Sequence, residues 1–250
     1  LHDTVDWPVA FLGALHAGVV PVAVNTLLTA DDYAYILQHS RARAVFVSGP
    51  LLPVLQAAMA QGGHDVEHVV VSQPAGTPPA DALHLDTQLA ASPTVPAVRT
   101  LADEIAFWLY SSGSTGKPKG VVHTHGNLWH TAELYAKPVL GIREDDVVFS
   151  AAKLFFAYGL GNGLTFPLSV GATTVLMGER PTPQAVFQRL TTHRPTIFYG
   201  VPTLYAGMLA AADLPPRHQV ALRVCTSAGE ALPRDIGDRF TRHFGCEILD

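Results

Sequence analysis

The stretch Tyr110-Ser-Ser-Gly-Ser-Thr-Gly-Lys-Pro-Lys-Gly120 decides how the rest of the chain is interpreted. It lies between two apolar runs, residues 105–109 and 121–123, that predict strands. Its glycines allow positive φ, which turns backbone amides toward one point: Gly113, Gly116 and Gly120. Its other polar residues supply hydroxyls for phosphate oxygens and positive charge: Ser111, Ser112, Ser114, Thr115, Lys117 and Lys119. The stretch therefore predicts a cradle for a polyphosphate.

Other loops rich in glycine and serine fit this stretch poorly. A Walker loop requires glycine at position 111 and Ser or Thr at position 118, where this chain has Ser111 and Pro118. The Gly-x-Ser-x-Gly elbow of hydrolases fails because residues 112 and 115 are Ser and Thr. A flexible linker is disfavoured because the stretch lies between two apolar strands and carries paired lysines.

The composition predicts a globular protein with no nucleic-acid or membrane partner. The chain has 250 residues, 48% of them hydrophobic, and a net charge of −5. This is enough for one large α/β domain or two smaller ones, and it lacks the basic excess that favours anionic partners. No apolar run is long enough to span a bilayer. Cys225 and Cys246 are too far apart for a Cys-x-x-Cys site, so we expect reduced, buried thiols in the cytoplasm.

Alternating helix and strand signals run along the whole chain. Pro8 opens one helix, Thr29 caps the next, and Thr182 followed by Pro183 starts another. Short apolar runs predict strands between the helices: residues 19–24, 44–48, 66–71, 147–150, 171–177, 196–199, 223–227 and 247–249. This alternation predicts an α/β fold, with parallel-rich sheets and crossover helices on their faces. Residues 72–100 are rich in Pro, Gly and Ala, which predicts a surface excursion between portions 1–100 and 101–250.

Three further segments are candidates for a binding site. Residues 153–163 can form the wall of a flat apolar pocket through Phe156, Ala157, Tyr158 and Gly159, although an aromatic core cluster has the same residue types. Tyr199 ends a predicted strand, where either a ligand or an ordinary connection can follow. The backbone of Gly229-Glu230-Ala231 can lie against a flat base, or it can form a simple turn.

The histidines that follow the phosphate stretch invite a zinc interpretation, which we reject. His123, His125 and His130 have no nearby cysteine or carboxylate to complete a site. A strand-to-helix crossing would also splay their rings apart.

The phosphate stretch resembles the signature of the AMP-forming acyl-adenylate synthetases and acyl-CoA ligases. Lys-Leu-Phe-Phe-Ala-Tyr-Gly at 153–159 and Ser-Ala-Gly-Glu at 227–230 are similar to the forms in benzoate–CoA ligases. The resemblance implies that a carboxylate, benzoate or a close analogue, attacks ATP to form an acyl-adenylate, and that coenzyme A then displaces AMP. It also implies Lys117 and Lys119 as catalytic residues and Thr115 as a ligand of Mg²⁺.

The same resemblance assigns two sets of contacts. The first set would bind ATP: Ser111, Ser112, Gly113, Ser114, Thr115, Gly116, Lys117, Gly229, Glu230 and Ala231. The second set would bind the aromatic acid: Phe156, Ala157, Tyr158, Gly159 and Tyr199.

Residues 1–250 resemble part of the N-terminal AMP-binding domain of that family, without its small C-terminal domain. The Mg²⁺-binding Glu, the ribose-binding Asp and the C-terminal Lys of the family have no counterpart here, so we expect an internal fragment with negligible ligase activity by itself. Two alternatives stay open: the acceptor can be a carrier protein, or the domain can be a non-catalytic nucleotide-binding remnant. The ring substituents of the acid are undecided. The oligomeric state is also open, a homo-oligomer included.

Overall fold

The computed structural model describes residues 1–77, 79–111 and 116–250. It divides into two compact units, Leu1–His125 and Gly126–Asp250. The subdomain boundary expected at 100/101 stays a prediction. Four residues of the phosphate stretch, 112–115, lie outside the described residues.

The first unit contains two three-stranded sheets. Its helices are α1 (Asp6–His16), α2 (Ala30–Ser40), α3 (Leu52–Met59) and α4 (Leu85–Ala91). Its strands are β1 (Val22–Ala23), β2 (Ala44–Ser48), β3 (His68–Ser72), β4 (Leu83–His84), β5 (Ile105–Ser111) and β6 (Lys119–Thr124). One sheet has the order β2-β3-β4 and is parallel, and the other has the order β1-β5-β6.

The strands that flank the phosphate stretch form an antiparallel pair inside this parallel-rich unit. β5 pairs with β6 antiparallel and with β1 parallel. The antiparallel pairing brings the two ends of the stretch to neighbouring strand positions. The phosphate stretch is therefore flanked by the two strands of a hairpin, and not by a strand and a helix.

Helix α2 begins as the sequence predicts. Thr29 accepts a hydrogen bond from the Asp32 backbone at its Oγ1, and the Asp32 side chain accepts one from the Thr29 backbone, which together form a capping box. The helix ends at Ser40, and the next residue, Arg41, has a left-handed φ of 53°. Near the end of α2, His39 contacts Trp108 and Tyr110 of β5.

The described part of residues 72–100 is mostly exposed, as expected for a surface excursion, but it also contains two elements that were not predicted. Strand β4 pairs parallel with β3, matching Val70 with Leu83 and Val71 with His84, and α4 follows at once. Because β4 has only two residues, its apolar signal is too short to stand out from the Pro- and Gly-rich sequence around it.

The second unit is a parallel sheet covered by helices. Its helices are α5 (His125–Thr131, beginning at the last residue of the first unit), α6 (Ala157–Leu160), α7 (Phe166–Val170), α8 (Pro183–Thr192), α9 (Pro202–Ala210) and α10 (Arg234–Phe244). Two π-helical turns follow α5 and α6: Ala132–Ala136 and Gly161–Thr165. Its strands are β7 (Val147–Ser150), β8 (Thr173–Val175), β9 (Ile197–Gly200), β10 (Val224–Ser227) and β11 (Ile248–Leu249).

The strand order of this sheet is β11-β10-β9-β7-β8, and every neighbouring pair is parallel. The chain passes from β7 outward to β8, then returns to place β9 on the other side of β7. The direction of winding therefore reverses between β7 and β9, which is the position where open α/β sheets bind ligands beyond the carboxyl ends of their strands.

Apolar side chains of α8, α9 and α10 pack on the sheet of the second unit. Fully buried members of this core are Phe198 from β9, Tyr205 from α9 and Phe240 from α10. The rings of Tyr205 and Phe240 meet edge to face at 5.1 Å. Cys225 and Cys246 are free thiols buried in the same core.

Across residues 1–77, 79–111 and 116–250, none of the helices combines the length and apolar character that crossing a bilayer requires.

Candidate active site

The β5–β6 hairpin holds the two ends of the phosphate stretch. Ser111 is paired with Lys119, and Tyr110 with Gly120. Gly116 has a φ of +86°, the left-handed conformation expected for it. The ATP-binding predictions for Ser112, Gly113, Ser114 and Thr115, and the metal prediction for Thr115, lie outside the described residues.

The prediction of positive φ at Gly120 is wrong, because this residue lies in the extended strand β6. The absence of a side chain at Gly120 has a steric role instead. A Cβ atom at this position would lie 3.2 Å from Cε3 of Trp108 and 3.6 Å from Cζ of Tyr110. Gly120 therefore leaves room for two aromatic rings on the neighbouring strand.

Both predicted catalytic lysines are exposed at the hairpin. The Nζ atom of Lys117 lies 5.1 Å from the ring centroid of Tyr35, a cation–π distance. Lys119 is in β6, opposite Ser111. The structure thus holds one lysine against helix α2 and projects the other from a regular strand.

Helix α2 supplies two residues that no sequence motif had singled out. Tyr35 and His39 stack at 5.4 Å, and Nδ1 of His39 lies 2.6 Å from the Tyr110 hydroxyl. Burial raises the pKa of Tyr110 to about 12. The spacing of four residues along a helix is the signal that could have pointed to this shared face.

His123 stacks on Phe107 of β5, with ring centroids 4.7 Å apart and planes 5° from parallel. Burial lowers the pKa of His123, which favours the neutral imidazole. In the part of the chain that the structure describes, no three His, Cys, Asp or Glu side chains come together as a metal site.

In the second unit, the carboxyl ends of three strands carry the predicted binding segments. The register aligns Ser150 of β7 with Tyr199 of β9, and Tyr199 with Thr226 of β10. Because the strands are parallel, the segments that follow them leave the sheet at one edge. The aromatic segment 153–163, the segment after Tyr199 and the segment that contains Gly229 therefore belong to one edge of one sheet.

Some aromatic rings of segment 153–163 are exposed to solvent and others are buried. Phe155 is 4% exposed, whereas Phe156 is 47% exposed. Ala157 is exposed and Tyr158 is half-buried at the start of α6. A Cβ atom on Gly159 would lie 2.0 Å from the carbonyl oxygen of Lys153, so only glycine permits this close backbone approach.

Tyr199 is fully buried, and among the other residues predicted to contact the acid only Gly159 is also buried. Its ring meets that of Tyr158 edge to face at 6.3 Å and 89°. Burial raises the pKa of both hydroxyls, so both stay protonated at neutral pH. Within the described residues, the Tyr199 hydroxyl has no hydrogen-bond partner.

Thr226 connects two of these segments. Its Oγ1 lies 2.6 Å from the hydroxyl of Tyr158, and its carbonyl oxygen accepts a hydrogen bond of 2.7 Å from the hydroxyl of Tyr205. No role for Thr226 follows from the sequence alone. Its partners are 68 and 21 residues away, so no local pattern could have revealed the contacts.

The residues predicted to pack on adenine follow Thr226. Gly229, Glu230 and Ala231 are exposed, and Gly229 has a φ of +96°. Between them and Thr226, the buried Ser227 hydroxyl has no hydrogen-bond partner in the described part of the chain. An exposed backbone beside an unpaired buried hydroxyl is a suitable surface for a polar, flat ligand.

The chain is similar to curated ligases of aromatic acids. It is 60% identical over 250 residues to the benzoate–CoA ligase of Thauera aromatica, covering 99% of this chain and 46% of that protein. It is 49% identical over 257 residues to the 4-hydroxybenzoate–CoA/benzoate–CoA ligase of Rhodopseudomonas palustris, covering 100% and 46% respectively. The chain thus spans about half the length of these relatives.

Solved structures of such ligases share its fold. A benzoate CoA ligase from Burkholderia xenovorans LB400 superposes with a TM-score of 0.91 at 63% identity, covering 99% of this chain and 48% of that one. An anthranilate CoA ligase in complex with anthranoyl-AMP superposes with a TM-score of 0.93 at 36% identity, with the same coverage. The AMP-binding enzyme family matches residues 1–250, and the chain belongs to that family of adenylate-forming large domains.

Proposed function

We propose that the protein carrying this chain is an aryl acid–CoA ligase that acts on benzoate or a close analogue. A carboxylate oxygen attacks the α-phosphorus of ATP and the bond to the β-phosphate oxygen breaks, which gives an acyl-adenylate and pyrophosphate. The sulfur of coenzyme A then attacks the acyl carbon, and AMP leaves with the electron pair of the acyl–oxygen bond. The products are the aryl-CoA thioester, AMP and pyrophosphate.

One observation carries the proposal. The hydrogen bond between Tyr158 and Thr226 joins the segment predicted to line the acid pocket to the segment predicted to pack on adenine. Both segments follow carboxyl ends of strands in one parallel sheet, where such sheets bind ligands. The 60% identity to a benzoate–CoA ligase supports the choice of an aromatic acid.

In this proposal the aromatic segment selects a flat acid. The half-buried ring of Tyr158 and the exposed ring of Phe156 supply apolar surface, and the small residue Ala157 leaves space beside them. Gly159 supports this surface by allowing the close approach of the Lys153 backbone. Tyr199 acts from the core, where its ring packs against Tyr158 and sets the position of that wall.

The phosphate stretch supplies the charge in this proposal. Lys117 and Lys119 stabilise negative charge that develops on the phosphates, and the hydroxyls from Ser111 to Thr115 bind phosphate oxygens. Mg²⁺ is proposed to reach the site with the phosphates of ATP, which it neutralises, with Thr115 as a protein ligand. Gly229, Glu230 and Ala231 are the proposed contacts of the adenine ring.

The cytoplasm is the proposed location of the protein. Cys225 and Cys246 are free although their sulfur atoms are 3.7 Å apart, which suits a reducing compartment.

ATP–pyrophosphate exchange on the full-length protein tests the proposal. Benzoate, 4-hydroxybenzoate, 2-aminobenzoate and a fatty acid are compared, because exchange reports adenylation without the second step. We expect exchange with benzoate and little with the fatty acid. Exchange with fatty acids and none with aromatic acids would contradict the substrate class.

A thioester assay with coenzyme A completes the test. We expect benzoyl-CoA to accumulate with benzoate, ATP and CoA present. Adenylation that leaves CoA unused but loads a carrier protein would replace the proposed acceptor. Nucleotide binding without any exchange would instead indicate a non-catalytic module.

A further inference from the structure

Two tyrosine hydroxyls reach Thr226 from different parts of the second unit. Tyr158, at the start of α6, bonds to its side-chain oxygen at 2.6 Å. Tyr205, on α9, donates to its backbone carbonyl at 2.7 Å. Thr226 is thus held through both its side chain and its backbone.

Burial makes this arrangement rigid. Thr226 is 3% exposed and Tyr205 is fully buried. A hydrogen bond in such surroundings is shielded from competing water, and leaving a buried hydroxyl unpaired costs its desolvation free energy. Pairing of Thr226 with Tyr199 in the sheet fixes the strand as well. The half-buried Tyr158 is the member of the group nearest to solvent.

The position of Thr226 gives the contact a consequence for the reaction. It immediately precedes Ser227, with the exposed Gly229 two residues further on in the segment predicted to pack on adenine. Tyr158 belongs to the predicted wall of the acid pocket. This side-chain hydrogen bond therefore couples the position of one segment to that of the other.

We propose that Thr226 is a positioning residue for adenylation. Its hydroxyl holds Tyr158 and thereby sets the position of the segment predicted to line the acid pocket relative to the segment predicted to pack on adenine. The proposal rests on the proposed function. Attack of a carboxylate on phosphorus requires the two atoms at near-contact distance and in line, and displacements of about 1 Å lower such rates strongly. The hydroxyl acts through Tyr158 and needs no contact with either substrate.

A double-mutant cycle on the full-length protein tests this role. Thr226→Val and Tyr158→Phe each remove one hydroxyl of the same hydrogen bond with little change in shape. In pyrophosphate exchange with benzoate, we expect each variant to lower kcat about fivefold, the rate equivalent of one hydrogen bond. We expect the KM values for ATP and benzoate to stay within about twofold, because positioning affects the transition state more than ground-state binding.

The double variant and a conservative variant make the test specific. Because both substitutions break one contact, the double variant is expected to be no slower than the slower single variant. Thr226→Ser keeps the hydroxyl and is expected to restore most of the rate. Thr191→Val is the matched control, since the Thr191 hydroxyl donates to carbonyls of its own helix α8; its rate is expected to match the wild type.

Several outcomes would overturn the proposal. These are single variants with wild-type kcat, additive losses of about 25-fold in the double variant, or raised KM values at unchanged kcat. If Thr226→Val does not fold, as judged by circular dichroism and thermal melting, Tyr158→Phe decides alone through its kcat. A wild-type protein that exchanges with no aromatic acid would contradict the proposed function, whereas an active wild type with unaffected variants would contradict only the role of Thr226.

Discussion

The Tyr110 hydroxyl lies 2.6 Å from Nδ1 of His39, so the first residue of the phosphate stretch is tied to helix α2. We expect Tyr110→Phe and His39→Ala each to lower the free energy of unfolding by about 1 kcal/mol, the net contribution of a typical hydrogen bond. Chemical denaturation at neutral pH measures this loss. His193→Ala, at an exposed histidine in the second unit, is the control for His39→Ala and is expected to be neutral.

The pH dependence of this contact has a defined sign. The pKa of Tyr110 is raised from 10.0 to about 12 because burial disfavours the phenolate. Its contribution to stability is therefore complete below pH 10 and is lost as the pH rises through about 12. Tyr110→Phe is expected to remove this part of the alkaline loss of stability. Identical alkaline denaturation curves for wild type and variant would contradict the assignment.

Lys117 is expected to be essential for activity in the full-length protein. Its Nζ lies over the Tyr35 ring in an exposed position, and within the described residues it forms no ion pair that would compete for phosphate. We expect Lys117→Met to lower kcat/KM for pyrophosphate exchange about a hundredfold, the usual loss for one group that stabilises transition-state charge. Lys137→Met is the matched control, because Lys137 forms an ion pair with Glu133 at the surface and has no proposed role.

Asp146 is expected to stabilise the second unit strongly. Its side chain is 1% exposed and forms an ion pair with Arg223, and Thr196 donates to it at 2.7 Å. We expect Asp146→Asn to cost about 3 kcal/mol, because breaking a buried pair leaves Arg223 partly uncompensated. Asp145→Asn is the control: its side chain is 77% exposed, and its loss is expected to stay below about 0.5 kcal/mol.

Acid denaturation gives a second test of the same residue. Burial opposes ionisation of Asp146, but hydrogen bonds from Arg223, Thr196 and the Arg143 backbone outweigh it, so its pKa is lower than the usual 3.8. The stabilisation is therefore present above pH 3.8 and is lost as the pH falls further. Asp146→Asn is expected to reduce the loss of folding stability that occurs as the pH falls below 3.8. An unchanged slope would mean that Asp146 does not titrate as the geometry requires.

Gly159 is expected to tolerate no side chain. A Cβ atom there would lie 2.0 Å from the carbonyl oxygen of Lys153 and 2.6 Å from that of Ala152, and backbone atoms cannot move aside cheaply. We expect Gly159→Ala to destabilise the unit by about 3 kcal/mol and to impair use of benzoate. Gly207→Ala is the contrasting control, because the nearest atom is 3.6 Å away and alanine favours helix α9. Equal stabilities of the two variants would contradict this steric argument.

The sequence predicted best those elements whose signals are local. β2 at Ala44–Ser48 and β7 at Val147–Ser150 have the predicted bounds, because each is an apolar run interrupted clearly at both ends. The caps at Thr29 and Thr182 were also predicted correctly, since each cap depends only on the next three residues.

Elements that depend on distant partners were harder to predict. β1 has only two residues, Val22 and Ala23, because pairing with β5 rather than its own apolar run sets its length. β4 exists because β3 offers it a neighbouring edge. Neither effect is visible in a window of adjacent residues.

In the candidate site too, the residues with local signals were predicted, and those that depend on distant contacts were not. Residue types and a family resemblance were enough to select Tyr158 and Gly229. The roles of Thr226, Tyr35 and His39 depend on strand register and helix packing, which bring together residues far apart in sequence. Tyr199 was selected as a contact from its place at a strand end, which carries no information about its full burial or about its ring contact with Tyr158.

The pairing of Ser111 with Lys119 limits how the phosphate stretch can vary. Strand β5 ends at Ser111 and strand β6 begins at Lys119, and side chains in a strand alternate between faces. A substitution between them leaves the direction of the Lys119 side chain unchanged, and a change of length reverses it only if β6 slips by one position along β5. The hairpin therefore enforces the two ends of this segment, so a library that varies the residues between them but keeps Lys117 should retain the register of β5 on β6 in most of its members.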